Sequence, residues 1–442
     1  MYNNIEFSYT QRNNISISKL SDNGNENGII NDSLTYLYDE NSFRPFKEGL
    51  TNLLRSHGYT GTIQQMPSFL FSKLQEIGSE ITFKTVNSWF LGQHRPKVEA
   101  SSRKRMYEIC FALNLNLNET CEFFHHVYYD RAFNCHTIDE AVFYYAFLHN
   151  INYMTSLKII SDIKSTDNNT SKIDSNSLNF TKLAQTSIRD FQSIDELKEF
   201  LIENKKNYKE WNISARKTLN NFIEQLNGSS TNKEELRANI NRLKRQIRSQ
   251  TKSNKFKLEN YANQGLLIQE ILFDASNSFI GFEQEIEDSL RKEHLFTNAF
   301  ILHRFFPNSL EKNPYIHIPY IVKNNFPSKK VMSEILDPSK IQVSKSYDSI
   351  RKMLILLKFY TFWLNIKLNK TSTTSTYSIE DKFRIFIDET NFTLQQCGYD
   401  DLYSVNPYDW IFLLSSHQPN PINFFRDFTS ELFDPSEDDD YI

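Results

Sequence analysis

The chain has 442 residues, 39% hydrophobic and 24% charged, enough apolar material for the cores of about two to four domains. Glycine accounts for only 11 residues, and neither G-x-G-x-x-G nor G-x-x-x-x-G-K-[ST] occurs, which argues against the usual phosphate-cradling loops. The formal charge of −4 (50 minus 54) says little about partners until its distribution is read, and four cysteines (Cys110, Cys121, Cys135, Cys397) are too sparse for a disulfide scaffold.

In chain order, residues 1–42 are rich in Asn, Ser and Asp and read as a flexible arm. They lack a basic segment followed by an apolar run, and no stretch of 18 apolar residues follows, so a cytoplasmic location is the default expectation. Residues 43–160 read as short, tightly punctuated helices. Pro67 and Gly78 mark the ends of one, with Leu70, Leu74 and Ile77 on a shared face. Thr82 can cap the next, TFKTVNSWF, where Val86, Trp89 and Phe90 fall on one side and Lys84, Asn87, Ser88 and Leu91 on the other. Gly92 stops that helix, and Arg95–Pro96 leads on. Met106, Ile109, Cys110 and Leu113 then follow at i, i+3, i+4 and i+7, and a fifth helix starts near Asn118.

The polar stretch 161–182 reads as a linker into a module over 183–306. There, one long helix over about 194–226 and another from Thr231 suggest a hairpin. The second carries a capping-box pair, Thr231 and Glu234, and a seam of Leu236, Ile240, Leu243 and Ile247. A C-terminal module over 307–442 ends in an acidic tail. Further helices are expected over 266–306, 346–368 and 378–396. Sustained apolar–polar alternation is missing, so the expected class is all-α.

The string TFKTVNSWFLGQHRPK followed by RMYEICFALNL resembles the lambda-repressor-like (Cro/repressor, XRE-type) helix-turn-helix domain. The match rests on Thr82, Thr85, Val86, Trp89, Gly92 and Pro96, then Ile109, Cys110, Ala112, Leu113 and Leu115, and covers about residues 43–133. It departs from the family in its turn, where Ser79, Glu80 and Ile81 lie between glycine and cap, and at Leu74, where a small residue is common. The resemblance implies a five-helix DNA-binding domain whose second motif helix enters the major groove of double-stranded DNA.

The charge distribution points the same way. Residues 44–110 hold ten Lys/Arg and five Asp/Glu, a local net of +5 in an acidic chain. Thr82, Lys84, Thr85, Asn87 and Ser88 are the expected groove-facing residues: Asn can pair bidentately with adenine, and Lys can donate to guanine. Arg95, Lys97, Arg103, Lys104 and Arg105 flank them and are expected on phosphates. A second basic helix carries Arg237, Arg242, Lys244, Arg245, Arg248 and Lys252 with no acid among them, a backbone-tracking face or a solvated one.

The expected function is thus sequence-specific DNA binding by a transcriptional regulator through major-groove readout, without catalysis, cofactor or metal, and with self-association or a protein partner through the helical module. Two other readings stay open. One is a non-catalytic component of a defence system or mobile element that uses the helix-turn-helix for docking. The other is a ribonuclease, since Arg131 and His136 match the R-x4-H spacing of HEPN-type enzymes. Cys121, His125, Cys135 and His136 could in principle gather round a metal, although adjacent Cys135 and His136 suit zinc poorly.

Overall fold

Several helix starts among the described residues are set by local capping, as the computed structural model shows. It describes residues 2–22, 26–39, 42–91, 96, 100–166, 180–209, 213–227, 347–368 and 377–432. Among these are sixteen α-helices and no strand, so the chain is all-α as expected.

Residues 1–42 are not a loose arm. They form α1 (Tyr2–Asp22) and α2 (Glu26–Tyr38), and Ile17, Ile29, Ile30, Leu34 and Leu37 are buried in a core shared with the C-terminal helices. The polar composition is absorbed locally: the hydroxyls of Ser16, Ser21 and Ser33 donate to the carbonyls of Asn13, Ile17 and Ile29. Long-range contacts then fix the pair. Trp410 Nε1 donates to Ser16 Oγ at 3.0 Å, and the Tyr36 ring stacks on Trp410 with centroids 5.2 Å apart.

Five helices follow between residues 43 and 135, as expected: α3 (Phe46–Ser56), α4 (Met66–Glu76), α5 (Phe83–Leu91), α6 (Ala100–Ala112) and α7 (Leu117–Phe123). Gly78 ends α4 with φ at 75°, a conformation that side-chain-bearing residues rarely adopt. Asn116 caps α7 by accepting from Glu119 N at 3.0 Å. A single π-helical turn, Phe124–Tyr128, extends α7 and closes at left-handed Tyr129. Four more helices complete the same core: α8 (Ile138–His149), α9 (Tyr153–Ser165), α10 (Phe180–Asp190) and α11 (Ile194–Glu203).

That core runs over residues 46–208, so the expected module boundary at 161–182 is misplaced. Helix α9 continues to Ser165 and α10 begins at Phe180, and Ile163, Phe180, Ala184 and Ile188 are buried with Phe46 and Trp89. Residues 167–179 lie outside the described residues.

The long helix expected over 194–226 is broken after Glu203, with a 3-10 turn at Asn207–Lys209 before α12 (Ile213–Asn227). Its two halves serve different cores. Leu197 and Leu201 pack with residues 46–208, whereas Ala215, Leu219 and Phe222 pack with the C-terminal helices, a division one straight helix does not make. The second hairpin helix from Thr231, its seam Leu236, Ile240, Leu243 and Ile247, its basic residues, the helix over 266–306 and the acidic tail lie outside the described residues.

The chain closes with α13 (Tyr347–Leu368), α14 (Ile379–Gln396), α15 (Pro407–Ser416) and α16 (Pro421–Leu432). Helices α13 and α14 match the ranges read from the sequence to within about a residue, and Ser378 caps α14 by accepting from Asp381 N at 3.0 Å. Helices α12 and α13 pack along each other, which accounts for the burial of Leu219 and Phe222. One core therefore takes residues from both ends of the chain, and the other lies between them in sequence. They meet where Tyr129 packs on Val405.

Candidate functional site

Helix α5 is anchored by one face and presents the other. Val86, Trp89 and Phe90 are buried, and Trp89 meets Phe46 edge-on at 6.2 Å. Thr82 starts the helix, its hydroxyl accepting from Thr85 N at 3.3 Å. Thr82, Lys84 and Ser88 are exposed, while Thr85 and Asn87 are half-buried. The Ser88 hydroxyl donates to Thr85 O at 2.7 Å. Two apolar side chains flank this polar set, Phe83 at 43% exposure and Leu91 at 75%.

The expected phosphate-contacting cations divide differently. Arg103 is not available to a phosphate: its side chain is 3% exposed. It contacts the Asp130 carboxylate, donates to Glu140 Oε1 at 2.8 Å and reaches the carbonyls of Arg131 and Ala132 at 3.2 and 3.1 Å. Its neighbours in sequence point outward on α6. Arg105 is exposed, and Lys104 is half-exposed beside Glu108 at 3.8 Å. Arg44 is also buried, which removes a second cation from the local surface excess. Arg95 and Lys97 lie outside the described residues.

Arg131 and His136 belong to an irregular segment before α8, with Tyr129 and Cys135 both left-handed at φ 63° and 49°. The sequence places His136 just ahead of a helix, and so it stands: Thr137 caps α8 by accepting from Glu140 N. His136 is 2% exposed, against the Tyr399 ring, while Arg131 turns outward to Gln185 Oε1 at 3.2 Å. Gly398 makes room for the imidazole. A Cβ there would stand 2.6 Å from His136 Nε2, and φ of 79° already favours glycine.

Burial, aided by the charges of Arg103 and Arg131, holds the His136 imidazole well below its ordinary range, so it is neutral in the fold. Unfolding lets it protonate below the unfolded value of about 6.5, so stability falls as pH drops through that point. From pH 7.5 to 5.5 this single group is expected to remove about 1 kcal/mol, a loss that His136→Gln suppresses in urea titrations at the two pH values.

Cys121, His125, Cys135 and His136 do not assemble into one cluster. His125 Nδ1 bonds Asp400 Oδ2 at 2.8 Å, Cys135 is buried, and burial pushes the Cys121 thiol up to about 11. Among the described residues no group of three or more potential metal ligands comes together.

Sequence reading missed a polar cleft of about 510 Å³ between the two cores. One wall comes from Arg131, Tyr144 and α10; the other is the turn from Gln395 to Asp401. A buried arginine holds that turn too. Arg351 grips Asp409 through both oxygens at 2.8 and 2.7 Å and donates to the carbonyl of Asp401 at 2.9 Å. Burial acts to raise the Asp400 carboxyl, but the His125 bond and the charges of Arg351 and Arg131 outweigh it and hold the group below its ordinary range. Among the lining residues the sequence drew attention to Arg131, through its spacing to His136, and not to a cleft. No family model matches the chain, and no curated protein or solved structure matches it.

Proposed function

We propose that the chain is a sequence-specific DNA-binding protein of the transcription-regulator type, and that α5 reads the major groove. The observation that carries this reading is the two-sided character of α5: a buried Val86–Trp89–Phe90 anchor behind an outward set of Lys84, Asn87 and Ser88. Helix α5 packs on α4 across a short turn, so its outward face is presented by a rigid neighbour. Lys84 suits guanine O6 and N7, Asn87 suits adenine N6 and N7, and the exposed Phe83 suits a thymine methyl. Lys104 and Arg105 on α6 supply phosphate contacts, joined in this proposal by Arg95 and Lys97. Self-association would place two such helices on successive half-sites, about one helical turn of DNA apart. A monomer in light scattering at tens of micromolar would remove that last element alone.

Binding-site selection from random duplexes, followed by fluorescence anisotropy on the selected and a scrambled site, tests the reading. Asn87→Ala is expected to cost about 1–3 kcal/mol on the selected site and little on scrambled DNA. Arg105→Ala is expected to weaken both alike and to lower the salt slope by about one. Selection that enriches no sequence, or equal effects of both substitutions on both duplexes, would contradict it.

A further inference from the structure

We propose that the cleft between the two cores binds a nucleoside phosphate, with the phosphates on the Arg131, Lys182 and Arg189 wall and the ribose toward Gln395 and Asp401. The inference goes beyond DNA binding, because none of the cleft residues lies on α5. Three observations support it.

The first is charge. Arg131 reaches the cleft from the segment before α8, while Lys182 and Arg189 are exposed on α10. The Arg131 guanidinium donates to a neutral amide oxygen, that of Gln185, at 3.2 Å, and its charge also acts on Asp400 across the cleft. The carboxylates opposite are differently placed. Asp400 is engaged by His125 at 2.8 Å, and Asp401 accepts from Gln395 Nε2 at 2.8 Å. Three cations against two carboxylates leave the lining net positive, and two guanidinium forks suit phosphate oxygens.

The second is preorganisation. Both walls are held from behind by buried arginines that donate to backbone carbonyls: Arg103 to residues 131 and 132, and Arg351 to residue 401. Rigid support of this kind lowers the ordering cost of binding. The third is size and polarity. About 510 Å³ lies within the small-ligand range and far exceeds a lone phosphate, and Asp401 and Gln395 offer hydroxyl partners.

Isothermal calorimetry of the full chain with ADP, GDP, CDP and UDP, alongside adenosine and pyrophosphate, tests the proposal. At least one diphosphate should bind with a dissociation constant well below about 1 mM, and about tenfold more tightly than pyrophosphate or a bare nucleoside. Arg189→Gln and Lys182→Gln, exposed changes that leave both cores intact, should each weaken it about tenfold, with thermal unfolding of the unliganded variants unchanged. Arg131→Gln should do the same. No binding by any diphosphate at about 1 mM, pyrophosphate binding as tightly as the best of them, or undiminished binding by the Arg189 and Lys182 variants would overturn the proposal. Any of these failures leaves the α5 reading untouched.

Discussion

Arg103→Met is expected to lower the unfolding free energy by about 3–5 kcal/mol, the cost typical of stripping one partner from a buried ion network. Asp130 and Glu140 face the guanidinium with side chains 2% and 9% exposed. Methionine fills the space of the stem and leaves the two carboxylates without the guanidinium, while the carbonyls of Arg131 and Ala132 each lose one donor and keep another, Asn134 Nδ2 and the Tyr107 hydroxyl. Urea titration followed by far-ultraviolet circular dichroism measures the loss. Lys104→Met, one residue away and half-exposed, should stay within about 0.5 kcal/mol. The triple change Arg103→Met, Asp130→Asn, Glu140→Gln should recover part of the loss, since it removes the stranded charges with their partner. A loss under about 1 kcal/mol for Arg103→Met would show that the network contributes little.

Arg351→Met should damage the other core to a similar extent, about 3–5 kcal/mol at neutral pH, and the damage should depend on pH. Asp409 is fully buried, and burial pushes its carboxyl up; the bidentate Arg351 fork opposes that push. Without the fork, the folded pKa rises further above the unfolded value. A carboxyl whose folded pKa is raised favours the fold when protonated, so the variant regains stability relative to its parent as pH falls. The gap between the two should therefore narrow on going from pH 7 to 5, by up to about 1.4 kcal/mol per pH unit. Adding Asp409→Asn to the variant should abolish the narrowing. A gap that stays constant or widens on acidification contradicts the assignment of the charge to Asp409.

The two arginines also mark the limit of what could be read from residue order. Helix α5 was legible because its determinants are neighbours: a threonine cap at Thr82 and apolar residues at 86, 89 and 90 act within one or two turns. Helix α14 was legible for the same reason, with Ser378 and Asp381 closing its first turn. Arg103 was read as a phosphate contact because it sits in the basic run Arg103–Lys104–Arg105. What separates it from Arg105 is Asp130 and Glu140, carboxylates far along the chain that meet it only after α8 has packed. Residues 1–42 were misread for a related reason. Their Asn and Ser content is unfavourable for an isolated helix, and only packing on α15 and α16 explains why α1 and α2 form. The cleft had no sequence signature, because its walls come from residues more than 200 positions apart.

The interleaving of the two cores sets an order on synthesis. By the time residue 208 has emerged, the chain holds everything the intermediate core needs, whereas α1 and α2 still lack α15 and α16. Ser16 and Trp410, bonded in the finished fold, are 394 positions apart. At roughly 5–20 residues per second, α1 and α2 wait tens of seconds with Ile17, Leu34 and Leu37 uncovered. During that interval their apolar faces are open to chaperones and to other nascent chains, and the first helices translated are among the last to be buried.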